Sequence, residues 1–337
     1  MARAVATAVL LAVLLAVLAA CGAPPAGPTS ASVAPQPCSP SVAITGFSDV
    51  LDGREYGARR TWSVAGLSGL GVDRDGALLA LGDRSVLFTL DPRTREPTGV
   101  TPLADEDGAA LDTEGLAVDA DGTRLVATER APAVHRYDRD GRLLGRLDVP
   151  AGLADRAAGN ASLEGVAVLA PGGPVVAAME GPLDGDDPAV RRIVTWPGPQ
   201  WAYLPDPGLD VAELAATGDG RLLVVERSYT RGVGNTVHLA LADPRGAADV
   251  TGTPELPPTG GPAPIARALL ADLGACPDLG ATAAQAQPNP LLDNVEGMTV
   301  LGRTPDGALR VLLVSDDNQD PEQTTRLYDL LVRLPPT

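Results

Sequence analysis

The sequence predicts an all-β fold, a β-propeller of five or six four-stranded blades, on three observations. One pattern occurs five times: a Glu-Gly pair opens a short apolar run, an Asp-Gly turn follows, and a second apolar run ends in acidic residues. The copies, aligned on Ser68, Glu114, Glu164, Glu213 and Glu296, succeed one another at roughly 48 residues before a longer last interval, a spacing that suits one blade per copy. In the second copy, four short apolar runs separated by turns fit between residues 113 and 149, the sequence form of an antiparallel meander.

The chain begins with Met1-Ala2-Arg3, an apolar run over 4–18, and Leu18-Ala19-Ala20-Cys21. A short positive start, an apolar stretch too short for an ordinary span and small residues before a cysteine resemble a lipoprotein signal. Residues 1–20 are the expected signal, cleaved to leave Cys21 carrying lipid. Residues 21–40, rich in Pro, Gly and Ala, read as a tether that holds the domain clear of a membrane. A single folded domain is expected over 41–337. Its first strand, over 42–47, is expected to join the last blade, close the ring and remove an open sheet edge.

The first copy carries Gly66-Leu67-Ser68-Gly69 and ends at Asp83-Arg84, with Ser68 where the others have an acid. The second runs from Glu114-Gly115 to Glu129-Arg130, and the third from Glu164-Gly165 to Glu180. The fourth, Ala212-Glu213-Leu214, keeps an acid, loses the glycine and ends at Glu226-Arg227. The fifth runs from Asp293-Asn294-Val295-Glu296-Gly297 to Ser315-Asp316-Asp317-Asn318. Residues 245–292 are rich in Pro and Gly, with one short helix or strand over 265–273. They hold either a degenerate sixth blade or an insertion.

The 337 residues carry a formal charge of -17 and include no lysine, so the fixed side-chain cations are all arginine. Such a surface repels phosphate backbones, which excludes nucleic acid as a partner, and suits a dispersed, acidic monomer. Aromatic residues make up only 3%, so the core must be built from Ala, Val and Leu. Export would place the thiols in an oxidising setting. With Cys21 lipidated, Cys38 and Cys276 form an even pair and a disulfide between them is expected; closing so long a loop is worth about 4–5 kcal/mol by chain entropy.

Innermost propeller strands line a central channel, so equivalent residues form rings. One ring is expected from Glu114, Glu164, Glu213 and Glu296, with Ser68 as the odd member. A second is expected from Asp83, Glu129, Glu180, Glu226 and Asp316. Crowded carboxylates raise one another's pKa unless a cation enters, and hard oxygen ligands in number suit Ca²⁺. Glu114, Glu164, Glu213, Glu296, Asp316 and Asp317 are therefore candidate metal ligands, the extra acids of the fifth copy marking the first place to look. The alternative is that these acids accept backbone N–H groups or pair with arginine. Arg84, Arg130 and Arg227, each beside a strand-end acid, are candidate anion-binding residues. Nucleophilic catalysis has little support: Gly66-Leu67-Ser68-Gly69-Leu70 lacks the last glycine of a hydrolase elbow.

Taken together, Gly66-Leu67-Ser68-Gly69, Glu164-Gly165 after Asn160, Glu226-Arg227, Asp293-Asn294-Val295-Glu296-Gly297, and Ser315-Asp316-Asp317-Asn318 with Gln323-Thr324 resemble the phytase-like propeller family, that of the esterase-like activity of phytase. The resemblance spans about Gly66 to Leu334. It departs at Gln319, where an aromatic is expected, and in the loose fourth copy. It implies an exported hydrolase of phosphate or carboxylic esters that uses Ca²⁺, with arginine holding a small anionic substrate. The alternative is a non-catalytic lipoprotein that binds a cell-envelope partner, since one fold hosts many functions.

Overall fold

The computed structural model describes residues 34–337 apart from Asn160. The expected signal over 1–20 and the lipid site Cys21 lie outside the described residues.

Five sheets stand around one axis. Blade 1 comprises Leu67–Val72, Leu78–Gly82, Val86–Leu90 and Pro97–Pro102, from the axis outward. Blade 2 comprises Thr113–Val118, Arg124–Thr128, Ala133–Tyr137 and Leu143–Asp148; blade 3 comprises Leu163–Val168, Val175–Met179, Arg191–Trp196 and Gln200–Tyr203. Blade 4 comprises Asp210–Ala216, Leu222–Thr230, Gly234–Asp243 and Ala266–Asp272. Blade 5 comprises Asn294–Arg303, Leu309–Asp316 and Leu327–Val332, and its fourth strand is Val42–Ser48, paired antiparallel with Leu327–Val332. The inner strand of each blade packs against that of the next, and blade 5 meets blade 1. The long last interval is thus an insertion: Ala266–Asp272 completes blade 4, and the described residues form no sixth blade.

The strand patterns follow from depth in the ring. Second strands such as Leu78–Gly82 and Val175–Met179 are buried throughout, because neighbouring blades cover both faces. The outer strand Leu143–Asp148 alternates half-buried and exposed residues, as an edge facing water on one side should. Asp-Gly turns join first strands to second in every blade but the third, where Gly172-Gly173 does so, and Gly76 (φ 85°) and Gly122 (φ 89°) supply the left-handed backbone such turns require. With few aromatics, the blades meet through aliphatic layers; the largest, between blades 4 and 5, includes Val42, Leu239, Leu270, Val311 and Leu330.

Cys38 and Cys276, 238 residues apart, are joined by a disulfide. Cys38 lies between Val42–Ser48 and the short strand Gln36–Pro37 that pairs along its outer edge, and Cys276 follows the outermost strand of blade 4. The bond therefore staples two blade rims that side-chain packing and a hydrogen bond from the Ser39 hydroxyl to the Leu270 carbonyl (2.6 Å) would otherwise hold. Replacing both cysteines by serine is expected to cost roughly 2–4 kcal/mol, a fall in Tm of about 5–15 °C. Thermal denaturation with and without reductant checks this: reductant should reproduce the loss in the parent and leave the serine variant unmoved.

Candidate functional site

The Glu-Gly pair has a structural cause. In every blade the pairing of first and second strands shifts by one residue near the start, leaving a β-bulge. A bulge turns its extra residue out of the ladder and re-aims that side chain. In blades 1 and 5 the bulged residues are Ser68 and Glu296, and in blades 2 and 3 the bulge falls on Glu114-Gly115 and Glu164-Gly165, which places the two acids alike. The glycine that follows sits where inner strands converge. A Cβ on Gly115 would stand 2.4 Å from the Glu164 carbonyl oxygen, and one on Gly165 would stand 2.5 Å from the Leu214 nitrogen. Gly69, Gly115, Gly165 and Gly297 thus form a narrow waist. Beyond it lies a space of about 190 Å³ with Leu70, Leu116, Val166, Leu214 and Met298 on its walls.

Blade 4 breaks the pattern by one position. Val211 pairs with Glu226 and Glu213 with Val225, so the bulged residue is Ala212 and Glu213 falls at the glycine position. Its carboxyl is fully buried in the waist, where Oε1 accepts the N–H groups of Val166 (3.0 Å) and Leu214 (2.8 Å). Those donors lie on the free edges of inner strands, which no further strand can satisfy. Glu213 therefore does not join Glu114, Glu164 and Glu296. Burial holds its pKa well above the usual carboxylate range, against the lowering effect of these backbone bonds.

The same offset changes the second ring. At the strand-end position Asp83, Glu129, Glu180 and Asp316 are joined by Arg227, whereas Glu226 turns away from the mouth. Glu226 accepts hydrogen bonds from the Tyr203 hydroxyl, from Arg267 (Nη2 at 2.7 Å) and from the Asp206 N–H (3.1 Å).

One mouth of the channel thus collects Asp83, Glu114, Glu129, Glu164, Glu180, Glu296 and Asp316 around one guanidinium. Arg227 Nη2 lies 2.7 Å from Glu296 Oε1 and 3.4 Å from Glu180 Oε1. Burial alone would lower the arginine's pKa, but Glu296, Glu180 and Glu164 raise it, so it stays charged. The acids it does not reach are crowded. Burial, then the charges of Glu296 and Glu129, push Glu114 up to about 9. Burial and Glu114, Glu180 and Glu296 hold Glu164 well above its ordinary value. Burial likewise pushes Asp316 to about 8, with Glu296 adding to it, and Asp83 to about 6.

Asp112, which the sequence pattern did not single out, belongs to this group. Ligand atoms of Asp112, Glu114 and Glu129 lie within 4.8 Å of one another, as do those of Glu129, Glu164 and Glu180. Glu164 is 8% exposed, yet its carboxylate has no hydrogen bond or ion pair among the described residues. A buried, unpartnered carboxylate among others fits a hard divalent cation. Asp317 is already engaged: Oδ1 accepts the N–H groups of Gly66 (2.9 Å) and Gln319 (3.0 Å), and Oδ2 the Thr325 hydroxyl (2.9 Å). Asp293 accepts N–H bonds from Asn294 and Thr324 in the same way. The extra acidity of the fifth copy mainly ties down loops.

From the mouth a cleft of about 610 Å³ opens between blades 1 and 2, lined by Asp83, Arg84, Leu111, Asp112, Thr128 and Arg130. Two of the three candidate anion-binding arginines thus share one cleft beside the acids, while Arg227 lies within them. Arg130 Nε is 2.8 Å from Asp112 Oδ2, with most of its side chain in solvent.

The model of the family described as "Phytase-like: Esterase-like activity of phytase" matches residues 63–319. The chain belongs to the phytase-like family. No curated protein matches this phytase-like sequence. Solved structures similar to it include a streptogramin B lyase, 13% identical, over 82% of this chain and 68% of that one, with a TM-score of 0.39. A virginiamycin B lyase from Staphylococcus aureus is 14% identical over 81% and 71%, with a TM-score of 0.36. A protein solved as a gluconolactonase candidate is 17% identical over 90% of each chain, with a TM-score of 0.39.

Proposed function

We propose that the chain is a Ca²⁺-dependent ester hydrolase, exported and anchored to the outer face of the cell membrane through Cys21, acting on a small phosphate-bearing ester. The observation that carries this reading is the adjoining of two unlike features: a mouth of buried carboxylates and a cleft edged by Arg84 and Arg130. Asp112, Glu114, Glu129, Glu164 and Glu180 are the residues that would hold the ion. When bound, it supplies Lewis-acid polarisation of the ester and a water of lowered pKa. Arg84 and Arg130 offer planar donor forks that orient an anionic group over the mouth. The fully buried Glu213 and the glycine waist close the base of the site, so substrate enters and leaves from one side. The arginines favour phosphate over a neutral carboxylic ester. They are also needed, because a chain of charge -17 otherwise repels an anion.

The test is release of nitrophenol from a nitrophenyl phosphate and from a nitrophenyl acetate by the full chain, in Ca²⁺, in Mg²⁺ and in chelator. We expect phosphate-ester turnover that chelator abolishes and Ca²⁺ restores. Glu114→Gln should lower it by about 100-fold or more, since even outer partners of metal ligands cost 10–100-fold. Activity should sediment with membranes and move to the soluble fraction in Cys21→Ser. If neither ester is cleaved in either ion, the reading gives way to a non-catalytic envelope-binding lipoprotein.

A further inference from the structure

We propose that the mouth is a two-cation centre, in which the Glu129 carboxylate bridges one divalent ion held by Asp112 and Glu114 to a second held by Glu164 and Glu180. This rests on the reading that the mouth binds a hard divalent cation. The two groups of converging carboxylates share one member, Glu129, which stands at the end of the second strand of blade 2 with blade 3 beside it. A carboxylate has two oxygens and can serve a different ion with each. Two-ion hydrolases commonly hold their metals about 3.5–4 Å apart through such a shared ligand, one ion for each side of an in-line displacement.

Glu164 and Ser68 supply evidence beyond the acids' mere proximity. Glu164 is 8% exposed, and its carboxylate takes no hydrogen bond or ion pair among the described residues, so its oxygens are free to meet a ligand at the mouth. The Ser68 hydroxyl, at the register position of Glu114, Glu164 and Glu296, is 3% exposed and also lacks a hydrogen bond. Each group offers three carboxylates where Ca²⁺ takes six to eight oxygens, so positions remain for water and a substrate oxygen. The two positions are unequal. Arg227 lies 3.4 Å from Glu180 and places a fixed positive charge beside the second ion. The first is met only by Arg130, whose charge is mostly in solvent. Binding should therefore occur in two steps, tight at Asp112 and Glu114, weaker at Glu164 and Glu180.

The decisive experiment titrates the full, chelator-stripped chain with Mn²⁺ and records its electron paramagnetic resonance. The expected result is two ions per chain and, as the second binds, an exchange-coupled multiline spectrum. Asp112→Asn and Glu180→Gln should each leave one ion with an uncoupled spectrum, and Glu129→Gln should remove the coupling. Circular dichroism identifies any variant that fails to fold, and the two outer variants keep the test decisive if Glu129→Gln does. One uncoupled Mn²⁺ in the parent, with ion-dependent hydrolysis intact, overturns the bridge and leaves the proposed function standing. No bound Mn²⁺, with hydrolysis indifferent to chelator, overturns both.

Discussion

In chelator, the folded chain is expected to lose stability steadily as pH rises from 5 to 8.5, and Ca²⁺ is expected to remove most of that loss. The sign follows from the mouth. Asp83, Glu180, Asp316 and Glu114 are raised to about 6, 7, 8 and 9, burial being the first cause in each, from ordinary values near 4. Between those limits the folded state holds more protons than the unfolded one. Stability is therefore complete below about pH 4 as far as these groups are concerned, and is lost as pH climbs through each folded value. Asp219 works the other way: the Arg221 side chain holds it low, and its contribution fades only in acid. A maximum near pH 5 results. At 2–4 °C per kcal/mol for a domain of this size, Tm should fall by about 10 °C or more between pH 5 and 8.5. Ca²⁺ at 100–1,000 times its Kd adds about 3–4 kcal/mol, chiefly at high pH, where the ligands are already deprotonated. Differential scanning calorimetry at both pH values, with chelator and with Ca²⁺, reads all four corners. A Tm that is flat or rises with pH in chelator would show that the mouth is not a crowded set of carboxyls.

Much of this site is legible in the sequence, and the part that is not has a definite cause. The Glu-Gly pairs stand out because two constraints act on adjacent residues: a bulge aims an acid at the mouth, and the waist leaves no room for a Cβ at Gly115 or Gly165. Aligning repeats on their acids places Glu213 with Glu164. The pairing of the strands instead places it with Gly165, and a carboxyl expected at the mouth becomes the filling of the waist. The apolar frame carried that information. Setting Val211 and Leu214 against Leu163 and Val166 shifts Glu213 onto the glycine, and their partners on the second strand set Glu226 against Met179 and hence Arg227 against Glu180. Asp112 escaped notice because it lies in the loop before the repeat begins, where no period applies. Five blades rather than six could not be chosen from residues 245–292, because one strand over Ala266–Asp272 serves equally as a new blade's start or an old blade's end. Pairing with Gly234–Asp243 decides it.

Arg227→Met should be the most damaging single substitution at the mouth, costing about 3–5 kcal/mol at pH 8 without Ca²⁺. Blade 4 is the one blade that places a cation at the strand-end position, where the others place Asp83, Glu129, Glu180 and Asp316. Removing one partner of a buried pair leaves the other charged and unsatisfied, and that desolvation accounts for most of the cost. Here two partners lose their counterion, Glu296 at 2.7 Å, which keeps only a hydrogen bond from Asn294 Nδ2 (2.8 Å), and Glu180 at 3.4 Å. Two controls separate charge from packing. At pH 5 the loss should shrink, because Glu180 is then protonated and needs no counterion. Ca²⁺ should recover part of the loss at pH 8, since a free ion can occupy the field the guanidinium leaves. Arg227→Lys should fall between, as an ammonium keeps the charge but gives up the planar fork. Urea denaturation midpoints for the three proteins at both pH values measure these differences. A loss below about 1 kcal/mol that neither pH nor Ca²⁺ alters, within the range of an exposed ion pair, would mean that the acids beside Arg227 carry protons rather than charge. The cation position would then have to lie wholly on the side of Asp112 and Glu114.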